Sequence, residues 1–112
     1  MTTRDGALLG TLEHLILLAV LALGAEAHGM TIRDELHTRT GRDLSFGTIY
    51  VTLQRLEAKG LVTASMGAPT PERGGRAKRF FKITADGRRA VRRSQDALNA
   101  MTAAWRNARA SS

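Results

Sequence analysis

Apolar side chains fill almost every position from Leu8 to Leu23, without a proline, and the run stops at Gly24. A helix that is apolar all round is a buried one, and a glycine just past its end is the usual stop. The pattern predicts a core helix over Leu8–Leu23. In Thr31–Thr40, Ile32 and Leu36 stand four apart among Arg33, Asp34, Glu35, His37 and Arg39, which predicts a short amphipathic helix ended by Gly41. Ser45 is a good N-cap for a third helix, Phe46–Lys59, stopped by Gly60. At about 100° per residue, Ile49, Leu53 and Leu56 fall within about 60° of one another and form its buried stripe. The opposite face holds Gly47, Val51, Gln54 and Ala58, flanked by Thr48, Tyr50 and Arg55. Two small residues beside a hydroxyl, an amide and a guanidinium suit close approach to a grooved polar surface.

The period then changes to two. Leu61–Met66 alternates, and so does Arg76–Ile83, where Phe81 and Ile83 share one face and Lys78, Phe80 and Lys82 the other. Between them Gly67–Gly75 holds both prolines and three glycines, so the two strands form a hairpin with a long tip. Thr84 caps a last helix, about Ala85–Ala108, with Asp86 well placed in its first turn. Along it Val91, Ser94, Leu98, Met101, Trp105 and Ala108 follow a three-four spacing, a seam interrupted by Ser94. A second copy of the same helix would cover that seam and make a homodimer. Packing back on Leu8–Leu23 of the same chain is the other solution, and both can hold together.

The pattern thus describes a mainly α chain with a small β-hairpin: a unit over 1–84, then a C-terminal helix and tail over 85–112, forming one compact body. With 112 residues, 43% of them hydrophobic, there is enough for one modest core. The formal net charge is +7, and it is patterned. Nine of the 17 Lys and Arg lie between Arg73 and Arg93, opposed there only by Asp86. Such a stretch favours a polyanionic partner, nucleic acid before anionic membrane. The absence of cysteine excludes disulfides and thiolate metal sites and fits a reducing cytoplasm. Leu15–Leu23 is nine apolar residues, too short for a membrane span, which needs about 20. It could imitate a signal-peptide core, but Glu13 and His14 directly precede it, so a cytoplasmic protein is expected.

Catalytic readings find no support. His14, His28 and His37 lie on different segments and make no two-ligand metal spacing. Asp34 and Glu35 are adjacent, so on a helix they point about 100° apart and cannot face each other as a pair. Gly74-Gly75-Arg76 lacks a phosphate-loop context. Neither an enzyme, a metal nor a cofactor is expected. The order helix, helix, turn, helix, hairpin is instead that of a winged helix-turn-helix. In that design the third helix reads base edges in the major groove of duplex DNA and the hairpin carries cations to the phosphates. The alternative is a basic adaptor that docks on an acidic protein or anionic membrane without specific DNA binding.

Three stretches carry a resemblance: LGTLEHLILLAVLAL at 9–23, SFGTIYVTLQRLEAKGLV at 45–62 and PTPERGGRAKRFFKITADG at 69–87. In this order and spacing the chain resembles the PadR-like family of bacterial transcription regulators. The resemblance implies a dimeric DNA-binding repressor with a C-terminal helix exchanged between subunits. Its recognition helix would be Phe46–Lys59, with Gly47, Thr48, Tyr50, Val51, Gln54 and Arg55 facing DNA. Its wing would bring Arg73, Gly74, Gly75, Arg76 and Lys78. The chain resembles the short branch, in which effectors bind between subunits against the first and last helices. That implies Val91, Leu98, Met101 and Trp105 at the dimer contact and at any small-molecule pocket. Two departures stand out: Phe80 and Phe81 where the family usually has tyrosines, and His28-Gly29 where it often has Tyr-Gly.

Overall fold

The computed structural model describes residues 7–67 and 78–111. The elements run α1 (Thr11–Leu23), α2 (Gly29–Thr40), α3 (Phe46–Ala58), β1 (Val62–Met66), β2 (Arg79–Ile83) and α4 (Ala85–Ser111), with one short 3-10 turn at Gly24–Glu26. The core forms where the predicted stripes meet. Ile16, Leu17 and Val20 of α1 pack with Ile32 and Leu36 of α2, with Ile49, Leu53 and Leu56 of α3, and with Val62, Phe81 and Ile83 of the hairpin. Each fully buried aliphatic chain of this size contributes about 1.5–3 kcal/mol. The strands pair antiparallel, from Val62 opposite Ile83 to Met66 opposite Arg79.

Two helix starts differ from expectation, each for a local reason. Helix α1 begins at Thr11 rather than Leu8, because residues 7–10 lie along α4. Leu9 N donates to Ser94 Oγ at 2.9 Å and Arg93 Nε to the Ala7 carbonyl at 3.1 Å. The serine that breaks the seam is thus the acceptor that holds this segment. Helix α2 begins at Gly29 rather than Thr31, because Thr31 reaches back and accepts from His28 N at 3.0 Å. The expected stops hold: Gly24, Gly41 and Gly60 all have positive φ.

Thr84 joins the hairpin to the last helix. Its N–H donates to the Leu61 carbonyl at 3.0 Å, its hydroxyl donates to the Gly60 carbonyl at 2.7 Å, and it accepts from Gly87 N at 3.0 Å. Gly87 lies so close to the turn before β1 that a Cβ there would sit 2.2 Å from the Leu61 oxygen. The start of α4 is thereby docked to the α3–β1 turn. Helix α4 is 27 residues long. Its buried residues all lie in its first part: Gly87, Ala90, Val91 and Ser94.

Candidate nucleic-acid interface

Helix α3 turns two different faces. Ile49, Thr52, Leu53 and Leu56 are buried, and the Thr52 hydroxyl is satisfied by the Thr48 carbonyl at 2.8 Å. Gly47, Thr48, Tyr50, Val51, Gln54 and Arg55 are all exposed. The structure therefore brings the six predicted helix residues together on one outer surface. Ser45 caps the helix, accepting from Thr48 N at 3.1 Å and donating to Thr48 Oγ1 at 3.0 Å. A Cβ at Gly47 would come no nearer than 3.8 Å to Ser45 Oγ. The chain itself thus has room for a side chain at position 47.

The hairpin stands beside this helix. Phe81 and Ile83 are buried, while Lys78 and Lys82 are exposed, as the alternation predicts. Of the other wing residues, Arg73, Gly74, Gly75 and Arg76 lie outside the described residues, as does the start of the strand expected at Arg76. Lys78 immediately precedes β2, and its carbonyl accepts from Gly67 N at 2.7 Å.

Two outward residues turn out to have inward tasks. Phe80, on the face of the cations, is half-buried with its ring edge-on to His28. Arg79 donates to Glu57 of α3 at 2.9 Å and stacks over Phe81, so its charge is used inside the chain. The backbone adds a further tie, Phe81 N donating to the Ala27 carbonyl at 2.8 Å. Burial holds the His28 imidazole below its ordinary pKa; Lys78 pushes the same way, while Glu26 and Asp34 oppose.

Two contacts that sequence reasoning missed hold α3 from behind. Lys59, at its C-terminal end, meets the buried Glu13 of α1 at 2.8 Å. Burial pushes the Glu13 carboxyl up, but the Lys59 ammonium and the Gly10 N–H more than offset this, so its pKa lies below the usual value. At the other end Arg33 of α2 lies 4.8 Å above the Phe46 ring. Neither contact has a local sequence signal, because the partners are far apart along the chain.

The predicted seam divides. Val91 belongs to the core of its own chain. Beyond it Leu98, Met101 and Trp105 are 54%, 69% and 57% exposed. Leu98 and Met101 border a cleft of about 430 Å³ between α1 and α4, whose lining includes Leu8, Leu15, Leu18 and His14. Val91 and Trp105 do not line it. His14 is buried, and its Nε2 has no hydrogen-bond partner among the described residues.

Three packed helices, the third with an open polar face, followed by a two-stranded wing and a long terminal helix, define a winged helix-turn-helix protein. Its residues 17–93 match the model of the transcriptional regulator PadR-like family, and the chain belongs to that family. The transcriptional regulator Rv3488 of Mycobacterium tuberculosis is 40% identical over 73 residues, which span 65% of this chain and 64% of that one. A PadR family regulator from Clostridium difficile has the same fold, with a TM-score of 0.72 at 19% identity, covering 88% of this chain and 97% of that one. Bacillus subtilis PadR, solved in complex with operator DNA, aligns with a TM-score of 0.62 at 20% identity, over 74% of this chain and 46% of that one. The family is one of transcriptional regulators, not of enzymes. Among the described residues no helix is long and apolar enough to cross a membrane.

Proposed function

We propose that this chain is a sequence-specific DNA-binding regulator of transcription, acting in the cytoplasm as a homodimeric repressor. The observation that carries the reading is the outer face of α3, where Thr48, Val51, Gln54 and Arg55 stand exposed around a glycine that the fold does not require. That surface can enter a major groove, with Gln54 and Arg55 offering the amide and guanidinium that pair with base edges. Lys78 would meet phosphates from the wing, together with Arg73 and Arg76, while Gly74 and Gly75 let the tip lie close to the sugar-phosphate wall.

The uncovered row Leu98, Met101 and Trp105 supports pairing with the same row of a second chain. Two recognition helices would then address a palindromic site. A small-molecule effector would enter the cleft beside Leu98 and Met101, against the second subunit, and alter the spacing of those helices.

Selection from a random duplex library tests this, followed by gel shift and sedimentation. The expected result is an enriched palindrome with half-sites about 10 base pairs apart, bound by a dimer. A chain that binds no duplex at about 50 mM salt would be an adaptor for an acidic surface instead.

A further inference from the structure

Four residues of the helix-turn-helix form a continuous stack. Gly29 and Arg33 stand four apart on α2, and Phe46 and Tyr50 stand four apart on α3, so each pair shares a face of its helix. The Arg33 guanidinium carbon lies 4.8 Å from the centre of the Phe46 ring. Phe46 lies over Tyr50, with centroids 6.4 Å apart and planes at 29°. Tyr50 ends the row at Gly29: a Cβ there would be 2.5 Å from the tyrosine oxygen. Arg33 also reaches the connecting turn, with Nη2 3.7 Å from Asp43 Oδ1.

This row is not explained by core packing. Phe46 and Tyr50 are both exposed, and neither belongs to the buried stripe of α3. They occupy the turn of α3 that carries Gly47, Thr48 and Val51 outward. The Ser45 cap fixes the backbone of that turn but not its tilt against α2. The shared core sets the packing of the two helices, and a planar guanidinium over one ring with a glycine notch under the other adds a restraint on the tilt at this end.

We infer that Arg33 is a positioning residue for DNA recognition, acting through Phe46 and Tyr50 rather than on the DNA itself. The inference rests on α3 being the reading helix. Its charge is already turned toward Phe46 and Asp43, so it adds little to the count of phosphate contacts. Lysine is a poor substitute, because a compact ammonium lacks the flat face that stacks on the ring.

The test uses the full chain and two probes: the duplex enriched from a random library, and a scrambled duplex of equal length. Arg33→Met, Arg33→Lys and Phe46→Leu are each measured on both across a salt series, with melting temperatures to confirm folding. Each variant should lower the ratio of enriched to scrambled affinity by about two- to fivefold, the worth of an exposed cation–π contact. The salt slope should stay that of the wild type, and Arg33→Met with Phe46→Leu together should do no more than either singly.

A fall of about 0.9 in the slope, with equal loss on both duplexes and rescue by lysine, would make Arg33 a phosphate contact and overturn the inference. An unchanged ratio in folded Arg33→Met and Phe46→Leu would also overturn it. Wild-type protein that binds neither probe would sink the DNA-reading role of α3, and the inference with it.

Discussion

Phe80 of the wing meets His28, the residue before α2, edge to face, with ring centroids 5.3 Å apart and planes at 80°. The two residues also form an isolated antiparallel bridge. Gly67 closes the other side, where a Cβ would lie 2.6 Å from the Phe80 ring. The base of the wing is therefore fastened to the helix-turn-helix by the His28 ring and backbone.

That contact predicts a pH dependence. The folded protein holds His28 below the pKa of a free histidine, through burial first and Lys78 second, against Glu26 and Asp34. Between the two pKa values the unfolded chain binds the extra proton. The stabilisation is therefore complete above the unfolded value, about 6.5, and is lost as pH falls through the folded one. Thermal unfolding of wild type and His28→Gln between about pH 7.5 and 5 should show the steeper decline in wild type. Parallel declines would remove His28 as the cause.

Gly87→Ala should be among the most damaging methyl additions in this chain. The new Cβ would stand 2.2 Å from the Leu61 oxygen and 2.6 Å from Ile83 Cγ1. The first is backbone and cannot swing away, so α4 must shift off the hairpin. Overpacking of this kind costs about 1–3 kcal/mol, which outweighs the gain of about 1 kcal/mol that alanine offers over glycine in a helix. Urea unfolding would measure it; an unchanged midpoint would mean that α4 docks less tightly than described.

These two contacts show where the sequence could be read and where it could not. Period and punctuation place the four helices and the two strands, though not the starts of α1 and α2 nor the 3-10 turn, because Ser45, Thr84, Gly24, Gly41 and Gly60 mark element ends locally. The α3 face was legible for the same reason, since a helix repeats itself. Alternation puts Phe80 on the face of Lys78 and Lys82, yet it says nothing of what reaches that face from elsewhere. His28 arrives from 52 positions earlier. Arg33 over Phe46 and Lys59 on Glu13 are likewise long-range pairs. The seam allows packing within the chain and pairing with a second copy; Val91 and Ser94 serve their own chain, while Leu98, Met101 and Trp105 lie exposed. Spacing reveals that a face is apolar, not which surface covers it.

Lys59→Met should destabilise the fold more at neutral pH than in acid. Glu13 is nearly buried, and without Lys59 its carboxylate keeps, among the described residues, the hydrogen bond from Gly10 N. Breaking a fully buried pair costs about 3–5 kcal/mol. Lys59 is half-exposed, so solvent screens the loss to about 1–2 kcal/mol. Because the folded carboxyl titrates below its ordinary value, this stabilisation is present above about pH 4.5 and lost as pH falls through the folded pKa. Urea midpoints at about pH 7 and pH 3.5 should therefore converge for wild type and Lys59→Met in acid. An equal gap at both would trace the defect to lost packing of the lysine stem.

Gly47→Ala separates what the fold needs from what a partner needs. Among the described residues outside the local helix backbone, the nearest atom to the added methyl is Ser45 Oγ at 3.8 Å, and the position lies inside the first turn of α3. Alanine favours a helix over glycine by up to about 1 kcal/mol, so the melting temperature should hold or rise. On the proposed reading a phosphate or sugar edge approaches this backbone, and a methyl group would hold it off. Affinity for the enriched duplex should then fall about tenfold, equivalent to about 1.4 kcal/mol. Stability that rises while affinity drops is the signature of a glycine kept for a partner. Unchanged affinity would move the DNA contact along α3, toward Gln54 and Arg55. Their alanine variants should then shift the preferred sequence, and if they leave it unchanged, α3 does not read bases.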